Sequence, residues 1–310
     1  MKNNKTTKSP ELNNAPPSAR RIAVVEAAPQ GSSTISGLSQ NGAHWSVIQG
    51  DAASELTALE TNSIACVITS PPYYSQRDYN VDNQIGLEKS ITEYTDRISD
   101  VFAEIRRVLS PSGTLFLNLG DTYYSGKGQP RGKDRKNSAR RFGLRPVDAS
   151  GLGVPRKTAI GIPWRVALAM IDSGWILRSP IIWRRNDAIP EPTAHDRPWR
   201  TYETLFLFSK TQRYHFDRSA LDGDEDIWTF SNRRTADSSF HSAAFPTELV
   251  RRCLLLGCPI NGKVLDPFAG SGTVSVVATQ MNHSSVSIEL NQEYCKKITD
   301  RLLTLSSLPG

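Results

Sequence analysis

From residue 44 onward, two rhythms of apolar residues alternate along the chain. Short apolar runs of strand length cover residues 44–49, 63–68, 114–118, 175–183, 202–208, 263–268 and 284–290. Between them, apolar residues recur every three or four positions over 52–60, 91–109, 162–173, 245–256, 271–281 and 291–305, which predicts helices. The clearest is 91–109, where Tyr94, Ile98, Val101, Phe102, Ile105 and Leu109 share one face and Pro111-Ser112-Gly113 follows as a stop. Pro163 and Pro246 fall in first helical turns, where a missing N–H costs nothing. Strands alternating with helices predict an α/β domain built on a mostly parallel sheet of seven strands. Residues 1–40 show no sustained period and are rich in Asn, Ser, Pro, Gly and Thr. They are expected to form a disordered tail with local order near 21–25. The remainder, 41–310, reads as one folded domain.

Composition narrows the setting. A chain of 310 residues, 38% hydrophobic, holds enough apolar material for a real core. No apolar run is long enough to cross a membrane, and the N-terminal MKNNKTTKSP lacks a signal peptide's apolar stretch. Cys66, Cys253, Cys258 and Cys295 show no C-x-x-C spacing, and the first two lie in apolar segments, so buried thiols in a reducing compartment are expected. The five histidines lack metal-ligand spacing, and no metal site is expected.

The net charge of +6 is concentrated. Residues 127–157 carry ten basic side chains against Asp134 and Asp148, a net +8, so the rest of the chain is about −2. Such a segment suits a polyanion, through phosphate contacts and counterion release. It equally suits a solvated loop kept soluble by its charge.

Two motifs carry chemistry. TSPPYY, residues 69–74, ends a strand on consecutive prolines. Proline cannot donate to a sheet ladder, and it holds the preceding residue extended. The outcome is a stiff corner presenting the Ser70 hydroxyl, backbone carbonyls and the Tyr73 ring, suited to a planar polar group. The second motif is KVLDPFAGSGT, residues 263–273: a strand, a turn with Gly270 and Gly272, and a helix start that Ser271 or Thr273 can cap. The following strand ends at Glu289, where an acid can take a ribose diol.

DPFAGSGT closely resembles the S-adenosylmethionine motif of DNA amino-methyltransferases, and TSPPYY resembles their catalytic motif. In that family Asp or Asn before the prolines is usual for adenine-N6 enzymes and Ser for cytosine-N4 enzymes; here it is Ser70. Cytosine-C5 enzymes need a cysteine after a proline, and none follows Pro71 or Pro72. The catalytic motif precedes the cofactor motif, as in the permuted β group, and the resemblance runs from about residue 44 to 305. It implies a Rossmann-like methyltransferase fold and S-adenosylmethionine as cofactor. It implies Ser70, Pro71, Pro72 and Tyr73 as the catalytic residues. Cofactor contacts are expected from Asp51, Thr69, Phe245, Pro246, Asp266, Phe268, Ala269, Gly270, Ser271, Gly272, Thr273 and Glu289. Ser70 and the Pro71 carbonyl would accept the hydrogens of a flipped base's amine while Tyr73 stacks on its ring.

The implied partner is duplex DNA, with a cognate restriction endonuclease if the enzyme is half of a restriction–modification pair. The implied setting is intracellular and DNA-associated, cytoplasmic in a bacterium and nuclear in a eukaryote. DNA contacts are expected from Arg77, Lys133, Arg135, Lys136, Arg140, Arg141 and Arg145. The family often carries a separate target-recognition domain; here only the basic insert 122–158 and the short segment 212–240 are candidates for that task. Trp183 is read as either a pocket wall or core, and His195-Asp196-Arg197 as a loop ordering the rim. Adenine-N6 methylation, RNA methylation and a catalytically silent DNA-binding module stand as the alternatives.

Overall fold

The described strands join in one sheet of ten. The computed structural model describes residues 24–27, 33–76, 84–124, 153–186, 188, 191, 194–221, 223, 225–230 and 245–307. In chain order the strands are β1 (Val24–Ala27), β2 (Ser33–Leu38), β3 (His44–Gln49), β4 (Ile64–Thr69), β5 (Leu109–Leu119), β6 (Ile176–Arg185), β7 (Tyr202–Ser209), β8 (Ile227–Phe230), β9 (Val264–Asp266) and β10 (Ser285–Glu289). The helices are α1 (Ala52–Thr57), α2 (Ile91–Val108), α3 (Ile162–Asp172), α4 (Thr247–Gly257), α5 (Thr273–Gln280) and α6 (Gln292–Ser307).

The seven expected strands occupy the contiguous stretch β3-β10-β9-β4-β5-β7-β6. Five of them, β3 through β5 in that order, are joined by parallel pairing, and β7 is antiparallel to both neighbours. The sheet is therefore mixed, and it is wider than expected among the described residues. β2 pairs antiparallel with β3 and β1 with β2, so the span expected to be a disordered tail contributes two strands, with β1 at the sheet edge. β2 is half-exposed and places only Ile35 against the core, so its register with β3 carries more of the structure than its own sequence does. β8 is a second correction. It pairs parallel with β6 and buries Trp228 to 1% exposure, so this part of the candidate recognition segment 212–240 is framework.

Helices cover both faces. α1, α2 and α3 bury Leu56, Phe102, Ile105, Val166 and Met170 against one face, together with Val67 and Leu117 of the sheet. On the other face α4 packs Leu249, Cys253 and Leu254 over Ile68 and Phe116. α6 and α5 pack Ile298, Leu302 and Val276 on Trp45 and Val47. The four cysteines are free and buried, as the sequence led one to expect for Cys66 and Cys253.

Chain direction sets the place of a ligand. From β9 the chain crosses through α5 to β10 on one side, and from β4 through α2 to β5 on the other, although β9 and β4 are hydrogen-bonded neighbours. That reversal leaves a crevice outside the carboxyl ends of β4 and β9, the general ligand position in open α/β sheets. TSPPYY leaves β4 there and DPFAGSGT leaves β9 there.

Candidate active site

A single cavity of about 320 Å³ joins the two motifs. Its lining holds Ser70, Pro71, Pro72 and Tyr73 on one side and Asp266, Phe268, Ala269, Gly270, Ser271, Thr273 and Glu289 on the other, with Asp51 and Phe245 between. Residues about 200 positions apart in the chain therefore share one site.

The cofactor-motif end is a cradle of two carboxylates. Asp266 is buried at the tip of β9 and accepts from Thr69 Oγ1 at 2.8 Å and the Phe268 amide at 3.1 Å. Burial, with the nearby Glu289 charge adding to it, pushes its carboxyl up to about 7 against those two hydrogen bonds. Glu289 accepts the Gly270 amide at 2.7 Å on one oxygen and the Asn291 amide at 2.8 Å on the other. Burial raises this carboxyl too, opposed by the Asn291 and Gly270 amides. Each oxygen keeps a lone pair for a further donor. Phe245, Phe268, Ile288, Leu290 and Tyr294 supply an apolar wall.

Three expected cofactor residues stand behind this lining. Thr69 holds Asp266. Pro246 is the N-cap of α4. Gly272 begins α5 with φ at +74°, and a Cβ there would come within 2.8 Å of Ile298 Cγ1, so glycine serves close helix packing at this point. Asp51 caps α1 through the Ala53 and Ser54 amides while also lining the cavity.

The catalytic-motif end is propped from behind. Tyr94 of α2 donates to the Pro72 carbonyl at 3.0 Å, and the Ser75 amide donates to the Gly86 carbonyl at 2.7 Å. The segment around Gly86 is itself held by Glu88, which accepts the Gly86 amide and pairs with Arg97. In front, Ser70 Oγ donates to Tyr73 Oη at 3.2 Å, and Tyr73 Oη donates to Glu203 Oε2 at 2.8 Å. Asn118 Nδ2 donates to both Tyr73 Oη and Glu203 Oε2 at 2.8 Å. Arg185 closes the group 3.5 Å from Glu203 Oε1. Burial first, and then the Glu203 charge, push the Tyr73 hydroxyl well above its usual value, so it keeps its proton.

Asn118, Arg185 and Glu203 were not singled out from the sequence. A signal existed for two: Asn118 is a lone amide in the apolar run LFLNLG, and Glu203 opens the apolar run TLFLFS. Trp183 both lines the cavity and packs in the core, so its two readings are compatible. Arg197 stacks 3.8 Å from the Tyr123 ring centre and pairs with Glu191, while Asp196 pairs with Lys157. Arg77, Lys133, Arg135, Lys136, Arg140, Arg141 and Arg145 lie outside the described residues.

Comparison with known proteins identifies the family. The N6/N4 DNA methylase family model matches residues 64–300. The chain is 44% identical over 272 residues to the type II methyltransferase M.Cfr9I of Citrobacter freundii, covering 86% of this chain and 89% of that protein. It is 41% identical over 266 residues to M.SmaI of Serratia marcescens, covering 83% and 90%. Among solved structures, the cytosine-N4-specific PvuII DNA methyltransferase superposes with a TM-score of 0.64 at 23% identity, over 84% of this chain and 92% of that one. The M1.HpyAVI–SAM complex superposes with a TM-score of 0.55 at 16% identity, over 83% and 98%. The chain belongs to the N6/N4 DNA methylase family.

Proposed function

We propose that this protein transfers a methyl group from S-adenosylmethionine to the exocyclic N4 amine of cytosine in duplex DNA. The observation that carries the reading is the meeting of Ser70, at its proline corner, with the Asp266–Glu289 cradle in one cavity. The donor set of that cradle fits the cofactor: carboxylates suit its ammonium group and ribose diol, and the aromatic wall suits its adenine. When bound, S-adenosylmethionine supplies a methyl group activated on a sulfonium.

The chain's own residues do the rest by positioning. A base in the duplex is stacked and its amine is conjugated, so it must first be flipped into the cavity. There Ser70 Oγ and the Pro71 carbonyl accept the two amine hydrogens. This draws the nitrogen towards tetrahedral geometry and turns its lone pair to the cofactor end. The Tyr73 ring forms a stacking wall, and Pro71 and Pro72 keep the acceptors fixed. No covalent enzyme intermediate is required.

Serine before the two prolines favours cytosine over adenine, and the family holds both activities. Single-molecule sequencing of DNA from cells expressing the protein tests the reading, because it reports base, position and sequence context together. N4-methylated cytosines in one recurring context support it. Modified adenines would leave the fold and the site standing and overturn the choice of base.

A further inference from the structure

Tyr73 Oη has one proton and two lone pairs, and the structure occupies all three. The proton goes to Glu203, and the lone pairs take Asn118 Nδ2 and Ser70 Oγ–H. Glu203 sets this direction, because an ionised carboxylate only accepts. It obliges Tyr73 to donate towards it, and Tyr73 then obliges Ser70 to donate inward. The serine proton is spent away from the base, which leaves Ser70 with lone pairs alone for whatever enters the cavity. Asn118 is oriented by the same rule, since its NH₂ must face the carboxylate.

We propose that Glu203 is a positioning residue that fixes Ser70 as a permanent hydrogen-bond acceptor, selecting an amine over a carbonyl, and that takes up the proton the methylated amine sheds. The inference rests on the proposed function, in that an exocyclic amine is the target. The proton balance closes within this hydrogen-bonded chain. When the amine lone pair forms the new N–C bond, the S–C bond of the methyl donor breaks and its sulfur keeps that electron pair, so the positive charge passes to the nitrogen, which then carries two hydrogens and the methyl group. One of those hydrogens passes as a proton to Ser70 Oγ, the serine proton passes to Tyr73 Oη, and the tyrosine proton passes to Glu203 Oε2. Serine and tyrosine end neutral, the product ends neutral, and Glu203 ends protonated. Its side chain keeps 19% of its surface exposed, which lets it return the proton to water. The high value of the Tyr73 hydroxyl fits a group that relays a proton without holding a charge. Among the described residues, Tyr73 from the turn after β4 and Arg185 from β6 are the ionisable groups in contact with Glu203.

Glu203→Gln tests this with little change of shape. Arg185 would take the amide oxygen, and the NH₂ would then face Tyr73, so the tyrosine and serine protons can reverse. The first readout needs no cofactor. Affinity is measured for duplexes carrying, at the site mapped by sequencing, either the amine base or its carbonyl counterpart, uracil for cytosine or hypoxanthine for adenine. The ratio is compared between proteins, so differences in duplex stability cancel. The expected result is a fall in amine preference of about tenfold in Glu203→Gln, the effect of one hydrogen bond, with the preference kept in Glu203→Asp. The second readout is single-turnover methylation. Glu203→Gln and Tyr73→Phe should each slow it by about 100-fold at unchanged cofactor affinity, and the double variant should be no slower than the slower single. An unchanged amine preference in Glu203→Gln, or rate reductions that multiply in the double variant, overturns the inference. Should Glu203→Gln fail to fold, Tyr73→Phe decides, since it removes only the bridging oxygen: a wild-type rate overturns the relay. A wild-type protein that marks no base defeats the proposed function itself. One that marks its site while Glu203→Gln behaves as wild type defeats only this inference.

Discussion

At the scale of single residues, the proposed function divides the site into groups that hold the cofactor and groups that orient the base, and each predicts a different loss. Ser70→Ala removes an oriented acceptor whose demand peaks as the lone pair turns. Turnover should therefore fall far more than affinity for either substrate, with the barrier raised by roughly 2–4 kcal/mol. Single-turnover kinetics beside titration calorimetry separates the two effects. Glu289→Ala should weaken cofactor binding by roughly 1.5–3 kcal/mol, the worth of hydrogen bonds to a charged group. Calorimetry on the folded variant checks it, and equal affinity would release Glu289 from the ribose. Asp266 gives a pH signature. Its folded value of about 7 stands above the ordinary 3.8, so the fold holds a proton that the unfolded chain releases. The stability linked to that proton is complete below about pH 4 and is lost as pH rises through about 7. Thermal melts of the cofactor-free protein from about pH 5 to about pH 8 should therefore fall more steeply for wild type than for Asp266→Asn, which has no proton to lose.

At the scale of elements, what could be read from sequence follows from how local the signal is. α2 was readable from one apolar face, and the structure places it at Ile91–Val108. TSPPYY and DPFAGSGT were readable because proline and glycine act on their own backbone. β2 and β8 were missed because their order comes from pairing with β3 and β6, not from their own alternation. Glu203 was missed for a related reason. It is 130 residues from Tyr73, and only the antiparallel pairing of β7 with β5 brings it to the same site as Asn118. The basic segment makes its own prediction. If Arg135, Lys136, Arg140 and Arg141 neutralise phosphates, replacing all four with Ala should flatten the log–log salt dependence of DNA affinity by about 0.9 for each phosphate left without its cation. Cofactor affinity should stay the same. An unchanged slope would assign the segment to solubility.

At the scale of the whole molecule, the fold makes one site from the two ends of its chain order. The TSPPYY turn follows β4 in the first quarter, the DPFAGSGT turn follows β9 in the last, and the parallel pairing of Cys66 with Val264 and of Val67 with Leu265 sets them side by side. Helices cover both faces at that junction, and the reversal of crossing direction opens the crevice above it. The central claim is that this crevice methylates the amine of a flipped cytosine. Its most direct test is digestion of DNA methylated by the purified protein to nucleosides, with chromatographic separation of the isomers and mass spectrometry. The account predicts N4-methylcytosine, and a product of 5-methylcytosine would contradict it, because that chemistry needs a nucleophile that TSPPYY does not contain.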